Sequence, residues 1–65
     1  MFKLYGTDWT IGPCGAMSTV RYLGTVSAAD FASALRIAKD LGAHSSYSAH
    51  RADGEVETAE SWLIR

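Results

Sequence analysis

The segment SAADFASALRIAKDLG, residues 27–42, predicts an amphipathic helix around which the rest of the chain is arranged. Ser27 is a suitable N-cap, and Asp30 follows three residues later, where a carboxylate favours the positive end of a helix. Apolar residues then recur at helical spacing: Phe31, Ala34, Leu35, Ala38 and Leu41. Gly42 predicts a left-handed residue that ends the helix. We therefore expect a helix of about fourteen residues with one apolar face.

Two segments before this helix predict a pair of antiparallel strands. Residues 2–11 and 18–26 are both rich in aromatic and β-branched residues, which favour strands. Residues 12–16 connect them and contain two glycines and the only proline. We expect this connection to be longer than a two-residue turn.

The first of these strands changes the phase of its apolar alternation. Phe2 and Leu4 alternate out of phase with Trp9 and Ile11. One extra residue flips the facing of every residue after it, so a bulge at Gly6 is the expected repair.

The chain after the helix predicts a second hairpin. Residues 43–51 alternate, with the polar set His44, Ser46, Ser48 and His50 on a face that we expect to be solvated. An Asp-Gly pair at 53–54 favours a tight turn, and residues 56–64 predict a final strand with Val56, Trp62 and Ile64 in phase. A helix remains the alternative for residues 56–64, because the apolar residues of this segment also fit one face of a helix. The expected fold is one α+β domain spanning residues 1–65, a four-stranded antiparallel sheet with one helix packed on one face, in the order β-β-α-β-β.

Composition narrows the class of function. Six Lys and Arg residues against seven Asp and Glu residues give a net charge of −1, without the basic excess expected of a dedicated nucleic-acid binder. The N-terminal residues do not have the pattern of a signal peptide, and Cys14 is the only cysteine, so we expect a reducing compartment such as the bacterial cytoplasm. The sequence has no stretch of about 18 apolar residues, so we expect no membrane-spanning helix.

The candidate catalytic and metal-binding groups are few. Cys14 has no neighbouring base in the sequence, and no acid–base or nucleophile pattern stands out, so we expect no enzymatic activity. His44 and His50 would lie roughly 20 Å apart along a strand, too far to share a metal ion. We predict no cofactor. Most of the aromatic residues are assigned to the core: Tyr5, Trp9, Tyr22, Phe31, Tyr47 and Trp62.

The clearest charge feature is an acidic cluster near the end of the chain. Four of the seven acidic residues fall within eight positions: Asp53, Glu55, Glu57 and Glu60. Together with His50 and Arg51 on the adjoining strand, they are the candidate contacts for a protein partner with a basic surface. The alternative is a solvated hairpin whose charges discourage aggregation.

The stretch YLGTVSAADFASAL, residues 22–35, is similar to the strand-to-helix junction of many very short phage proteins. In these proteins a strand leads into a Ser-x-x-acid cap and an Ala-rich helix, which a hairpin follows. Several anti-CRISPR inhibitors resemble this chain in size, acidity and plan. The resemblance covers residues 20–41 and the hairpin, and it assigns no functional residue. It implies a phage-encoded, non-enzymatic inhibitor that occludes a working surface of a CRISPR effector complex in the host cytoplasm.

Two other functions are compatible with the sequence. A small nucleic-acid-binding module would use Lys3, Arg21 and an exposed aromatic residue. A self-associating accessory protein would form a homodimer through an open sheet edge, or through Leu23 and Leu63.

Overall fold

The computed structural model describes residues 1–64, in which four antiparallel strands form one sheet and a helix lies against one of its faces. The elements are β1 (Phe2–Gly12), β2 (Gly15–Val26), α1 (Phe31–Leu41), β3 (Ser46–Arg51), β4 (Val56–Glu60) and a 3₁₀ turn (Ser61–Leu63). The strand order in the sheet is β2-β1-β3-β4. These observations confirm the predicted α+β fold with a four-stranded antiparallel sheet.

Strands β1 and β2 form a hairpin that is longer than the rest of the sheet. Gly12 pairs with Gly15, so only two residues, 13–14, form the turn. The expectation of a longer connection was wrong, because the pairing continues through both glycines. Strand β3 pairs with β1 only as far as Thr7, and beyond that residue the hairpin projects as a two-stranded ribbon. The chain is consequently elongated, with extents of 42 × 23 × 15 Å.

The bulge of this hairpin lies in β2, and the prediction of a bulge at Gly6 was wrong. Leu4 pairs with Gly24, whereas the next residue of β1 pairs with Tyr22, so that Leu23 is the extra residue. Gly24 has a φ of 142°, a backbone conformation that glycine adopts without steric cost. The bulge is therefore placed where a glycine accommodates it.

Because β1 itself continues without a break, its apolar residues divide between the two faces of the sheet. Phe2 and Leu4 point toward the helix and are buried. Trp9 and Ile11 have the opposite parity, lie on the face without the helix, and are exposed. The change of phase in the sequence is therefore present in the structure, because no bulge in β1 reverses it.

The helix is shorter than predicted at its N-terminal end. Asp30, and not Ser27, is the N-cap: its carboxylate accepts a hydrogen bond from the Ser33 backbone N–H at 2.8 Å. Gly42 follows the last helical residue, but its φ of 173° is extended and not left-handed as predicted.

The core lies between the helix and the sheet and is small. Its buried members are Phe2, Leu4, Ala34, Leu35, Ala38, Tyr47, Ala49 and Ile64. Tyr47 is the largest fully buried side chain, and its hydroxyl donates to the Gly42 carbonyl and accepts from the His44 N–H. These two hydrogen bonds fix the loop between α1 and β3. No helix within residues 1–64 has the length and apolar character needed to cross a bilayer.

The last two strands are shorter than the sequence predicted. Strand β3 begins at Ser46, because the preceding residues form the loop that follows the helix. Strand β4 ends at Glu60, so residues 61–64 do not continue the predicted strand and instead include the 3₁₀ turn. The turn buries Ile64, which is 7% exposed, and leaves Trp62 75% exposed. The in-phase strand assignment for these two residues was therefore wrong.

Candidate binding surface

One face of the sheet is not covered by the helix, and we call it the open face. Cross-strand partners in a sheet share a face, so the pairing of the strands defines its members. They are Lys3, Tyr5, Thr7, Trp9, Ile11, Ala16, Ser18, Val20, Tyr22, Thr25, Ser46, Ser48, His50, Val56, Thr58 and Glu60.

The hairpin half of the open face carries four large, exposed apolar side chains. Trp9, Ile11, Val20 and Tyr22 are 61%, 88%, 63% and 55% exposed, and we call this set the apolar strip. The prediction that most aromatic residues are core residues fails for Trp9 and Tyr22, and also for Trp62 on the 3₁₀ turn. A contiguous exposed apolar surface on a small protein is typical of an interaction site.

Three aromatic rings pack against one another at the Tyr22 end of the apolar strip. The Tyr5 ring lies 5.4 Å from the Tyr22 ring and 4.6 Å from the His50 imidazole, measured between centroids, so the rings cross β2, β1 and β3. The Tyr22 hydroxyl is 2.5 Å from the Thr25 hydroxyl. These contacts hold Tyr22 in one orientation although more than half of its side chain is exposed.

A shallow cleft lies beside these rings. Its volume is about 330 Å³, and its lining residues are Met1, Lys3, Tyr5, Thr25, His50, Arg51, Ala52 and Gly54. The rings of Tyr5 and His50 line this cleft together with the Lys3 side chain. The Arg51 side chain also lines it, and its guanidinium forms ion pairs with Asp53 and Glu55.

Arg51 organises the first half of the predicted acidic cluster. Its guanidinium donates to both carboxylate oxygens of Asp53, the shortest distance being 2.7 Å, and lies 3.0 Å from a Glu55 carboxylate oxygen. The hydrogen bonds from Arg51, supported by the Glu55 backbone N–H, lower the pKa of the Asp53 carboxyl to about 2. The same guanidinium lies 5.3 Å from the centroid of the Phe31 ring. Arg51 thus joins the turn to the helix, and it compensates part of the acidic charge.

The other two acidic residues of the cluster lie on opposite faces of β4. Glu57 pairs with Ala49 on the helix side of the sheet, whereas Glu60 pairs with Ser46 on the open face. Asp53 and Glu55 lie in and after the turn that precedes β4. The structure therefore brings Asp53 and Glu55 together around Arg51, and it distributes Glu57 and Glu60 separately along the strand.

The sequence did not reveal a second polar contact, the hydrogen bond between the side chains of His44 and Asp8. The His44 Nδ1 is 2.7 Å from an Asp8 carboxylate oxygen, and the Ser45 N–H donates to the other oxygen at 3.3 Å. The hydrogen bond from His44 lowers the pKa of the Asp8 carboxyl. The His44 side chain is only 11% exposed, so it does not lie on a solvated strand face as predicted. This contact ties the loop before β3 to β1.

Gly6 makes room for the His44 ring. A Cβ on Gly6 would lie 2.4 Å from the His44 Cδ2 atom, far inside van der Waals contact. A glycine within a strand is the sequence signal for such a close approach, and it was interpreted as a bulge. Ser46, predicted to be solvated with His44, is buried as well.

The structure separates the candidate metal-binding and catalytic groups. Cys14 lies in the turn at the tip of the hairpin and is exposed. His44 lies in the loop before β3, and His50 lies on the open face. Within residues 1–64, no three His, Cys, Asp or Glu side chains are grouped so that they could hold a metal ion.

Comparison of the chain with protein-family models, with curated proteins and with solved structures found no match. The open face and its apolar strip are therefore interpreted from their own geometry and chemistry.

Proposed function

We propose that this chain is a non-enzymatic protein-binding domain and that the apolar strip is its principal contact surface. The observation that supports this proposal is the position of four large, exposed apolar side chains on one face of a projecting hairpin. Exposed aromatic residues on a rigid strand lose little entropy on binding, and tryptophan and tyrosine are enriched among the residues that dominate binding energy.

The charge of the open face favours a protein partner over a nucleic acid. Among its strand residues, Lys3 and Glu60 carry formal charge at neutral pH. Arg21, the other cation proposed for nucleic-acid contact, pairs with Gly6 and so belongs to the helix side of the sheet. Single-stranded nucleic-acid sites combine aromatic stacking with a positively charged groove, and one lysine does not supply such a groove.

The specific form of the proposal is inhibition of a CRISPR effector complex by occlusion. It rests on the resemblance of residues 22–35 to phage-encoded inhibitors, and it places the protein in the cytoplasm of a host bacterium. The acidic cluster and its two neighbours are the proposed secondary contact for a basic effector surface. Asp53 and Glu55 gather around Arg51 in its compact part, and His50, Glu57 and Glu60 lie apart from that part along β3 and β4. Effector complexes hold nucleic acid in basic channels, which an acidic surface complements.

A binding and interference assay with paired tryptophan variants tests the proposal. Purified CRISPR effector complexes of several types are titrated with the protein, and phage plaques are counted on bacteria that carry the same systems. We expect Trp9→Ala to weaken binding at least about tenfold and to restore interference, because hot-spot aromatics contribute 2 kcal/mol or more. Trp62→Ala is the matched control, since Trp62 is also exposed, 75% against 61% for Trp9, but lies outside the hairpin.

The same assay distinguishes the parts of the proposal. Glu55→Lys/Glu57→Lys is expected to weaken binding without unfolding the domain, as judged by circular dichroism. Unchanged affinity of this double variant would remove the acidic cluster from the contact surface. Equal sensitivity to Trp9→Ala and Trp62→Ala would contradict the apolar strip as the contact surface. Absence of binding and of any plaque phenotype for the whole effector panel would overturn the CRISPR inhibitor form. A steeply salt-dependent gel shift with single-stranded DNA would favour the nucleic-acid alternative.

A further inference from the structure

The two edge strands of the sheet are unequally protected. Strand β4 has five residues, among them Glu57 and Glu60. Strand β2 has twelve residues, contains no proline, and has Arg21 as its only charged residue. Proteins protect exposed edges by shortness, charge, proline, a bulge or a covering element, because an unpaired edge is a template for another strand. Strand β4 is short and charged, whereas β2 has one charge and a bulge at Leu23, and its residues 15–22 form a regular edge.

We propose that β2 pairs with the β2 strand of a second copy of this chain, antiparallel and with the two-fold axis at Val20, which produces an eight-stranded sheet. This inference goes beyond the proposed partner binding, since it concerns the chain on its own. A two-fold dimer needs a self-complementary surface. The backbone, the side-chain sizes and the charge of β2 each meet that condition.

Between its start and the bulge, at residues 15–22, the backbone of β2 presents its free hydrogen-bonding groups at the even-numbered residues. The Ser45 N–H donates to the Thr7 carbonyl at 3.0 Å, so the odd residues of β1 point toward β3 and the even residues toward β2. Their partners are the odd residues of β2, for example Thr19 opposite Asp8. The N–H and C=O groups of Val20 and its even-numbered neighbours therefore point outward. A two-fold axis at Val20 pairs even residues with even residues, as an antiparallel ladder requires.

The side chains of the open face fit this register. Val20 faces its own copy, and Ser18 faces Tyr22 of the second copy. Trp9 neighbours Ser18 on the other side, so the smallest side chain of the row lies between two large rings. The apolar strips of the two copies then form one continuous surface across the dimer.

The charge of β2 also permits self-pairing. In the same register Arg21 faces Thr19 of the second copy, so that no like charges lie directly opposite each other, an arrangement that would be destabilising. A second copy therefore fits the edge without electrostatic conflict. Strand β4 has only five residues, so a comparable pairing of that edge would form a shorter ladder than β2 does, which argues against β4 as the dimer edge.

Sedimentation velocity with matched valine variants tests the dimer. We expect the wild-type protein to reach twice its chain mass of 7.0 kDa as its concentration rises. Val20→Lys should shift the dissociation constant at least about tenfold toward monomer, because it places two like charges at the axis. Val56→Lys is the control, since Val56 is an exposed valine of the open face on the other edge strand. A monomer up to about 1 mM, or dissociation by Val56→Lys alone, would overturn the proposal.

A distance measurement on the unsubstituted chain tests the register without the use of any variant. Cys14, the only cysteine, is exposed at the hairpin tip and accepts a spin label. With the axis at Val20, the two labelled residues are twelve strand positions apart, or roughly 40 Å. An electron–electron distance near this value supports the register. A distance below about 25 Å would show that the tips approach each other and would contradict it.

Discussion

At the scale of single residues, Gly6 has the clearest structural role. It lies in the middle of β1 and pairs with both neighbouring strands. The absence of a side chain there allows the His44 ring to lie against the backbone, with its Nδ1 directed at Asp8. One glycine thereby permits a buried contact between the first strand and the loop before β3.

Substitution of Gly6 by alanine is expected to destabilise the fold. The added Cβ would overlap the His44 ring, and overpacking of this kind typically lowers the free energy of unfolding by 1–3 kcal/mol, so we expect about 2 kcal/mol. Urea denaturation followed by circular dichroism measures this free energy. Gly12→Ala, in the same strand, is the matched control, because the nearest atom to its Cβ is 3.9 Å away.

A double-mutant cycle identifies the cause of this loss. In a His44→Ala background the ring is absent, and Gly6→Ala should then have a much smaller effect. If Gly6→Ala is equally destabilising in both backgrounds, the contact with His44 is not the reason for the glycine.

At the scale of secondary structure, the start of the helix depends on one carboxylate. The sequence offers two candidate caps three residues apart, Ser27 and Asp30, and both belong to the types that cap helices well. The structure selects Asp30, whose side chain accepts from the Ser33 N–H and whose carbonyl accepts from the Ala34 N–H at 3.1 Å. Residues 27–30 instead connect the sheet to the helix.

The two candidate caps are expected to respond differently to substitution by alanine. Asp30→Ala removes the acceptor for an N-terminal N–H group and should lower the free energy of unfolding by about 1 kcal/mol. Ser27→Ala should change it by less than about 0.5 kcal/mol, which is typical of a position outside the helix. Thermal and urea denaturation of the two variants compare these values, and a larger loss for Ser27→Ala would contradict the assignment of the cap.

At the scale of the whole molecule, the chain exposes more surface than a monomer of its size usually does. The accessible surface is 4446 Å², compared with about 4,000 Å² expected for a monomer of this mass. The excess agrees with the projecting hairpin. Within residues 1–64 the core has eight buried hydrophobic residues, three of which are alanine, so each large core residue carries a substantial share of the stability.

Ile64 is expected to be one of these residues. It is buried against the rest of the core, and its carbonyl accepts a hydrogen bond from the Lys39 ammonium at 2.9 Å. Ile64→Ala should lower the free energy of unfolding by about 2–4 kcal/mol, because it removes buried carbon and leaves a cavity. The adjacent Leu63→Ala is the control, and we expect a change of less than about 0.5 kcal/mol because Leu63 is exposed. Equal losses in a urea titration would contradict the packing of this segment.

The candidate site was predictable only in part. The acidic cluster and its proximity to Arg51 could be read from the sequence, because those residues are neighbours along the chain. The apolar strip could not, since the aromatic residues that form it are of the types most often found in cores. Whether a tryptophan on a strand is covered depends on the presence of a helix over its face, and that helix is remote in sequence from Trp9.

The sequence by itself determined the features that arise between near neighbours: the amphipathic helix, the two hairpins and hence the α+β class. The tertiary structure decided the position of the bulge, the helix cap, the burial of His44 and of Ile64, and the end of the last strand. Each of these depends on which distant residue comes into contact, as Gly6 does with His44 and Lys39 with Ile64. Local patterns specify periodicity and turns, whereas the packing of separated segments selects among the alternatives that those patterns allow.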